Sequence, residues 1–435
     1  MAQLGNGSHR SLAGMNGVTV RESNRSAVFE AIRHYAPISR KALAAHSGLN
    51  PATVTHIVDD LLGAGLVLEV AGDTTVAHSN GATLRRAVGR RPTGLSINAD
   101  ACYLVGLDLT HTSATVVITN LAAELLVHKH FTVSLSHSAD MHVNRVLKEV
   151  EHAIAHSGLP RDRIRGIGVG APGPLNTRTG TVMSKTFESW ANVPLKQLLE
   201  ERFALPVTVD NDSNTAALAE QWFGAGRECA NFAYVVVGAG VGAGMVVIGH
   251  LFQGGGDLSP EFGHTSILAD GPMCGCGNRG CLEMLAATPH MVSRVVEAMR
   301  LGGTSILSAL LPPNIQSDGS SPDPLHEDFD ALTPERIWDA VEKGDPLATA
   351  VVSEICTHLA TGLANLVALF HPSVIFIGHD MSRAGPRTYA LLRIALAERG
   401  VPSQVQVLPA TTDDWVPALG AVTLALRTLF AGTTC

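Results

Sequence analysis

One histidine and three cysteines stand close together in GHTSILADGPMCGCGNRGCLEML (263–285). They are His264, Cys274, Cys276 and Cys281, and glycines separate them. Imidazole and thiolate ligands at this spacing on glycine-rich turns are typical of a closed tetrahedral zinc site, which forces the chain around it into one compact knot. The sequence therefore predicts one structural zinc ion per chain, with a group of buried free thiols as the alternative.

The cysteine cluster does not have the pattern of a zinc finger that reads DNA. Such a finger needs one pair of cysteines, a later pair of histidines and its own recognition helix. The stretch has three cysteines, and its single histidine, His264, precedes them. We therefore expect the metal to support some other site rather than to contact nucleic acid.

Composition favours a globular chain with a basic N-terminal part. The 435 residues are 46% hydrophobic and 16% charged, with a formal net charge of -8. That charge is uneven, since residues 1–100 hold ten Lys or Arg against seven Asp or Glu, which leaves about −11 for the remainder. The net charge alone argues against a nucleic-acid partner, but its uneven distribution suggests a basic module attached to an acidic body.

Nothing in the sequence predicts export or a membrane span. The start, MAQLGNGSHRSLAGMNG, lacks the charged residues and apolar run of a signal peptide. No uninterrupted apolar stretch reaches the eighteen residues that a spanning helix needs. The four cysteines outside the cluster are scattered, which is typical of small buried residues in a reducing compartment. We therefore expect a cytoplasmic protein.

The N-terminal part has the pattern of a winged helix-turn-helix. Residues 1–20 are rich in Gly, Ser and Asn and are predicted to be disordered. Residues 21–98 then show three helical patterns and two strand patterns, GLVLEV and TGLSIN. Ser39 is placed to cap the second helix, while Asn50 and Pro51 form a favourable start for the third. The polar segment between the strands is predicted to be a wing tip and linker.

The same part supplies candidate contacts to DNA. The helix that starts at Pro51 directs polar side chains away from its apolar stripe, towards a major groove. The motif GRRP (89–92) resembles cores that place arginines in narrow A·T-rich minor grooves, a solvated linker being the alternative. The candidate contacts are Ser39, Arg40, Pro51, Thr53, Thr55, His56, Arg90 and Arg91. A homodimer or homotetramer would then favour a palindromic, A·T-rich operator.

Two similar hairpins predict a body of two α/β lobes. YLVGLDLTHTSATVVITNLAAELL (103–126) has its turn at Asp108–Ser113, and FAYVVVGAGVGAGMVVIGHLFQGG (232–255) repeats the form. Lobes that each open with a hairpin are typical of the actin-like kinase fold, whose turns face the phosphates of ATP, although GAGVGAG could also be a plain packing turn. The predicted units are a first lobe at 99–215, a second lobe at 216–415 and a terminal helix at 416–435 that returns to the first lobe.

Three motifs resemble the ROK family of repressors and sugar kinases. They are VDNDSNTAALAE (209–220), PEFGHTSI (260–267) and CGCGNRGCLE (274–283), and the helix-turn-helix pattern and GRRP strengthen the likeness. The resemblance extends over residues 25–430. It implies a sugar-kinase-like body, a structural zinc with the four ligands given above, and, because of the N-terminal module, membership of the branch of bacterial cytosolic regulators.

The resemblance also implies a sugar pocket. Asp212 matches the general base of the family's kinases, while a loop carboxylate or helix cap is the alternative for this residue. Carboxylates and amides suit the task because each can form two hydrogen bonds with neighbouring hydroxyls. The implied sugar-binding residues are Asn211, Asp212, Glu261, His264, Glu283 and, at the pocket edge, Asn192. A zinc knot would fix the two glutamates, and His264 would offer its second ring nitrogen to the sugar.

The motifs on the ATP side depart from those of the kinases. DLTHTS has Thr110 and His111 where the kinases have two glycines, and GAGVGAG has Ala239 in place of a threonine. IFIGHD has Gly378 and His379 where two glycines are usual, although His111 and His379 are interpreted as core or surface residues. We therefore expect a catalytically silent body in a sugar-responsive repressor of carbohydrate-utilisation genes. The alternatives are an activator and an active ATP-dependent sugar kinase with a DNA-binding arm.

Overall fold

The computed structural model describes residues 17–71, 93–110, 113–133, 138–183, 190–254, 258–310, 331–410 and 415–431. Residues 1–16 of the predicted disordered start and residues 72–92 of the predicted wing tip lie outside these ranges, whereas residues 17–20, expected to be disordered, are helical. Arg90, Arg91 and His111 also lie outside the described ranges.

Within the described ranges, the N-terminal head contains three helices and one strand pair. The elements are α1 (Gly17–Tyr35), α2 (Arg40–Ser47), α3 (Pro51–Gly63), β1 (Val67–Ala71) and β2 (Thr93–Ile97). Strands β1 and β2 are antiparallel. The Ser39 hydroxyl caps α2, and the Asn50 side chain accepts a hydrogen bond from the Thr53 N–H at 2.8 Å to cap α3. The element order and both caps are those predicted from the sequence.

A five-stranded sheet forms the centre of the first lobe. Its strands are β3 (Tyr103–Leu109), β4 (Ser113–Asn120), β5 (Leu125–Thr132), β6 (Ile164–Ala171) and β10 (Val207–Asn211), in the order β10-β6-β3-β4-β5. Strands β3, β4 and β5 are antiparallel, whereas β6 and β10 run parallel to β3. Asp108 lies opposite Thr115 within the β3–β4 ladder, so the turn begins at Thr110 and not at Asp108 as expected.

Two helices and a small sheet complete this lobe. Helix α4 (Ala139–His156) packs on β4, and α5 (Leu195–Phe203) packs on β10. The small sheet contains β7 (Leu175–Asn176), β8 (Thr181–Val182) and β9 (Val193–Pro194).

The second lobe has a sheet of similar form. Its strands are β11 (Phe232–Val237), β12 (Val241–Val247), β13 (His250–Leu251), β14 (Val374–Gly378) and β15 (Gln406–Pro409), in the order β13-β12-β11-β14-β15. Its helices are α7 (Glu283–Ala286), α8 (Thr288–Arg300), α9 (Pro334–Glu342), α10 (Pro346–Phe370) and α11 (Pro386–Glu398). Among the described residues, only α10 has the length and composition to cross a membrane, and half of its most apolar window is buried. It packs on α8, α9 and α11 as a core helix.

Two further helices join these parts. Helix α6 (Asp212–Phe223) packs on β6 of the first sheet and on β12 of the second, so it lies between the lobes. Helix α12 (Val416–Ala431) packs on α6 and on β3 and β6 of the first sheet.

The head shares a hydrophobic core with the body. Val28, Phe29 and Ile32 of α1 are fully buried, and they belong to one cluster with residues of the first lobe, of α6 and of α12. The body residues of this cluster include Cys102, Leu104, Val117, Leu121, Trp222, Leu419, Val422 and Leu426. The head is therefore held by packing as well as by the chain.

Candidate functional site

A cleft with a volume of about 800 Å³ lies between the two hairpins, and residues of both lobes line it. The first lobe contributes the end of β3, and the junction of β10 with α6 lies beside it. The second lobe contributes the β11–β12 turn, the start of the cysteine segment and the end of β14. The polar side chains that line the cleft include Asp108, Asn211, Asp212, Glu261, His264, Glu283, His379 and Asp380. Five of the six residues predicted to bind sugar are thus brought together.

Asn211 and Asp212 lie where β10 passes directly into α6. The Asn211 Oδ1 accepts a hydrogen bond from the Ser213 N–H at 3.0 Å and caps the helix. The Asp212 carboxylate accepts from the same N–H at 2.6 Å and from the Ser213 hydroxyl at 3.2 Å. Burial nevertheless raises the pKa of Asp212 to about 6. The capping function and a place in the cleft are therefore both found for these residues.

Asp108 is a cleft residue that the sequence analysis missed. It is 7% exposed, at the end of a strand whose other residues are all buried. Burial and the negative charge of Asp212 raise the pKa of Asp108 to about 7. A carboxyl group interrupting a wholly apolar strand, YLVGLDL, was the signal that could have revealed it.

Glu261 has a buried acceptor that faces the cleft. Its Oε1 has no hydrogen-bond partner among the described residues. Burial, then Asp212 and Glu283, raise the pKa of Glu261 to about 8. A Cβ at Gly173 would collide with this oxygen, so glycine leaves the space that the carboxyl group occupies. A buried polar atom without a partner is typical of a group that binds a ligand.

The predicted metal ligands converge beside this cleft. The ligand atoms of His264, Cys274, Cys276 and Cys281 all lie within 4.8 Å of one another. The Cys276 and Cys281 sulfurs are 3.7 Å apart, and the Cys274 Sγ is 3.6 Å from the His264 Nδ1. Tetrahedral zinc with Zn–S bonds of about 2.3 Å places its sulfurs about 3.8 Å apart. The four residues therefore fit a metal ion of this kind.

The cluster is connected to two acidic groups of the cleft. The His264 Nδ1 faces Cys274, whereas its Nε2 lies 4.0 Å from the Glu261 Oε2. Glu283 follows Cys281 by two residues and begins α7. Its Oε2 accepts a hydrogen bond from the Val241 N–H at 3.2 Å, in the β11–β12 hairpin. The segment that carries the His264 and cysteine cluster thus positions groups on two sides of the cleft.

His379 lines the cleft with an exposed side chain, so it lies at the surface, one of the two positions predicted for it. Its ring lies over the second hairpin turn, where a Cβ at Gly238 would collide with it. The His379 Nδ1 lies 3.1 Å from the Asp380 Oδ1, and the Asp380 Oδ2 accepts from the Thr288 hydroxyl at 2.9 Å. Burial opposes a charge on His379, but Asp380 and the cleft aspartates outweigh it and raise its pKa. The sequence pattern placed IFIGHD on the ATP side of the body. It did not predict the direction in which this ring points.

Asn192, the sixth residue predicted to bind sugar, is exposed. It is not among the described residues that line the cleft. Its assignment to the pocket edge stays a prediction.

The predicted DNA-binding residues of α3 form part of one face. Pro51, Thr55 and His56 are exposed, Thr53 is half-buried, and Ser39 caps the preceding helix. The Thr55 hydroxyl donates to the Pro51 carbonyl at 2.8 Å, so part of its hydrogen-bonding capacity is already used within the helix. The methyl group and hydroxyl remain at the surface.

Ion pairs neutralise the acidic residues of this helix. Arg40 pairs with Asp59 at 2.9 Å and with Glu69 at 3.5 Å, and Arg21 pairs with Asp60 at 3.2 Å. The predicted contact Arg40 is therefore engaged within the head. Because Asp59 and Asp60 are paired with arginines, their negative charges repel phosphate groups near α3 less strongly.

The ROK family model matches residues 104–428, well over half of the chain. This chain belongs to the ROK family. It is 27% identical over 419 residues to the xylose repressor of Caldicellulosiruptor bescii. The aligned region covers 96% of this chain and 98% of that protein.

Solved structures of ROK proteins agree with the fold. A crystal structure of a ROK family transcriptional regulator, a homologue of the E. coli MLC protein, superposes with a TM-score of 0.75 at 25% identity, over 95% of this chain and 97% of that one. A ROK family glucokinase from Streptomyces griseus, solved with glucose and AMPPNP, gives 0.63 at 28% identity and covers 75% of this chain and 99% of its own. The predicted two-lobed, sugar-kinase-like α/β body of this ROK chain is confirmed.

Proposed function

We propose that this ROK chain is a sugar-responsive transcriptional repressor of carbohydrate-utilisation genes. The observation that carries the proposal is the presence of the helical head and the cleft in one chain. The family model begins at residue 104, whereas the repressor and regulator matches extend over 96% and 95% of the chain and so take in the head. The head binds operator DNA, and a monosaccharide or derivative in the cleft changes the affinity for that DNA.

The head is proposed to act as a winged helix-turn-helix in the bacterial cytoplasm. Helix α3 enters the major groove, with its exposed Thr55 and His56 towards the bases. Arg90 and Arg91 enter the adjoining minor groove, where A·T-rich sequence strengthens the negative potential. A homodimer or homotetramer presents heads in symmetric pairs, which calls for a palindromic operator.

The cleft is proposed to bind the sugar through Asn211, Asp212, Glu261, His264 and Glu283, with Asn192 at its edge. The unpartnered Glu261 oxygen supplies an acceptor for a sugar hydroxyl. One zinc ion held by His264 and the three cysteines would fix the segment between the two glutamates. The metal would act structurally, as the all-protein ligand set indicates.

An ATP-dependent sugar kinase is the second candidate, because Asp212 occupies the cleft with a pKa near 6, which suits a general base. Two features of the cleft favour the sensor instead. The His379 ring covers the Gly238 turn, and the neighbouring Ala239 has no hydroxyl to offer a phosphate. We therefore propose that the body binds sugar without transferring phosphate.

The test joins ligand binding to DNA binding. D-xylose, D-glucose, N-acetyl-D-glucosamine and their phosphates are screened by thermal shift, and an operator is selected from a random DNA pool. We expect an A·T-rich palindrome, and at least one sugar that raises Tm and lowers operator affinity.

Two variants make this test specific. Asp212→Asn should weaken the binding of that sugar by about tenfold or more, since one charged hydrogen bond contributes about 1.5–3 kcal/mol, and should leave sugar-free operator binding intact. The exposed Asp162→Asn is the control. Failure to select any DNA contradicts the regulator, and sugar-dependent ADP release that Asp212→Asn abolishes would establish the kinase instead.

A further inference from the structure

Helix α6 touches both of the regions that the proposed function requires. Its first residue, Asp212, lines the cleft, and its last turn contains Trp222, which is 4% exposed. Trp222 belongs to the same core cluster as Phe29 and Ile32 of α1 in the head. The helix has twelve residues, so about 18 Å separates its ends. One straight element therefore spans from the cleft to the head.

The first turn of α6 is packed directly against neighbouring backbone. A Cβ at Gly242 would collide with the Ser213 hydroxyl, and one at Gly244 with the Ser213 carbonyl oxygen, both from β12. On the other side, a Cβ at Gly420 of α12 would collide with the Thr215 carbonyl oxygen. Close-packed interfaces of this kind do not deform gradually. A displacement of the turn that carries Asp212 must therefore move the helix as a whole.

The other end of α6 is bound to the head by Arg33, in the last turn of α1. The Arg33 guanidinium carbon lies 4.4 Å from the centre of the Trp222 ring and 5.5 Å from that of Phe223. Its Nη2 donates to the Trp222 carbonyl at 3.3 Å, and the Arg227 Nε donates to the same oxygen at 2.8 Å. Arg33 is therefore held by two attractions. One is the cation–π interaction with the aromatic rings, and the other is the attraction of its charge to the negative C-terminal end of the α6 dipole.

Arg33 keeps its charge at this junction. Burial and the neighbouring Arg227 lower the pKa of Arg33 to about 10, which is still well above neutral pH. The attraction to the Trp222 ring and carbonyl is therefore present under physiological conditions. Because the site is largely withdrawn from water, salt screens this attraction less than it would at the surface.

We propose that α6 transmits occupancy of the cleft to the head, and that Arg33 is the positioning residue through which α1 follows α6. The inference rests on the proposed function and adds the route by which the sugar acts. A sugar that engages Asp212 shifts α6 between the lobes, and Arg33 moves α1 with its C-terminal end. In a symmetric oligomer this changes the separation of the two heads, and the operator affinity falls.

The first experiment compares operator affinity with and without sugar for Arg33 variants. The probe is whichever of D-xylose, D-glucose and N-acetyl-D-glucosamine stabilises the wild type. We expect that sugar to change the wild-type Kd at least about fivefold, within the usual range of allosteric coupling. Arg33→Met keeps an apolar side chain but has no cation. The ratio of its operator Kd values with and without sugar should fall below about twofold, while its sugar-induced thermal shift should be unchanged. Arg33→Lys retains a cation over the ring and should recover part of the ratio.

Arg21→Gln is the matched control, because Arg21 lies on the same helix but pairs with Asp60 inside the head. It should keep the wild-type ratio even if its operator affinity changes. Hydrogen exchange gives a second measurement that does not require DNA. Sugar should slow exchange in both α6 and α1 of the wild type, but only in α6 of Arg33→Met.

The outcomes separate this inference from the proposed function. A wild-type ratio in Arg33→Met, or an unchanged exchange response in its α1, overturns the coupling route and leaves the sugar-responsive repressor standing. If no sugar alters operator binding by the wild type, the proposed function and the coupling route both fail. If Arg33→Met binds no operator at all, the exchange measurement alone decides.

Discussion

Asp108 makes stability depend on pH in an unusual direction. Its pKa is raised to about 7 in the folded chain, whereas an aspartate in an unfolded chain titrates near 4. Between about pH 4 and pH 7 the folded state therefore holds a proton that the unfolded state has released. By linkage, this group lowers the free energy of unfolding as the pH rises through that window. Above it, the destabilisation stays at its full value and does not change with pH.

Asp108→Asn should remove this destabilisation. We expect the free energy of unfolding at pH 7.5 to rise by about 2 kcal/mol or more, since a tenfold change in proton affinity corresponds to about 1.4 kcal/mol. The gain should shrink towards pH 4.5. Urea denaturation at several pH values measures it, with the exposed Asp100→Asn as control. A loss of stability at pH 7.5 would show that the charged form is favoured at this position.

Cys276→Ser tests the metal at the same scale. The purified wild type should contain about one zinc ion per chain by elemental analysis, and the variant should lose it, because a serine hydroxyl is a poor replacement for a thiolate. We expect the Tm to fall by about 5 °C or more and the sugar-induced thermal shift to disappear, as Glu261 and Glu283 lose their support. Cys229→Ser, outside the cluster, should keep its metal. Wild type free of zinc that still responds to sugar would contradict the structural role.

At the scale of elements, the predicted minor-groove arm can be separated from the recognition helix. Arg90→Ala combined with Arg91→Ala should weaken binding most at A·T-rich operators and reduce the slope of log K against log salt by about two per head. Thr55→Ala should instead relax the choice of base at one position of each half-site. Footprints and salt titrations on both variants make the comparison. If the arginine pair proves neutral, the segment is a linker and α3 alone selects the DNA.

Local patterns in the sequence predicted most elements because their causes are local. Asn50 predicts the start of α3 because its side chain caps the helix, and Pro51 because its ring fixes φ near the helical value. Neither effect needs a distant partner. The alternation of apolar strands with polar or glycine-rich turns likewise predicted both hairpins. The convergence of His264 with the three cysteines was predictable because their spacing is that of a coordination geometry and does not depend on the fold.

Contacts between distant segments were not predictable in this way. Arg33 and Trp222 are far apart in sequence, and nothing around either residue indicates the other. His379 follows a buried strand, but only the packing of β14 beside β11 directs its ring over Gly238. Asp108 was taken for a turn residue because polarity usually marks turns, whereas here the ladder continues to Leu109.

At the scale of the whole molecule, head and body are expected to unfold together. Phe29 is fully buried in the core that both share, so Phe29→Ala should cost about 3–5 kcal/mol. The loss should appear in the tryptophan fluorescence of the body as well as in helical circular dichroism, with coincident transitions. A separate early transition confined to helical signal would show that the head unfolds on its own. The exposed Leu68→Ala serves as the control.

The shared core also bears on how such regulators diversify. A head that only hung from a tether could be exchanged between relatives, so that new operators would be acquired by recombination at the linker. Here α1 packs on α12, contacts Trp222 through Arg33 and shares one core with Leu104 and Val422, so a foreign head would meet a surface shaped for another partner. New DNA targets are therefore reached more easily by changing exposed residues of α3 than by grafting. Engineered chimaeras should transfer the α1-facing residues of α6 and α12 together with the head.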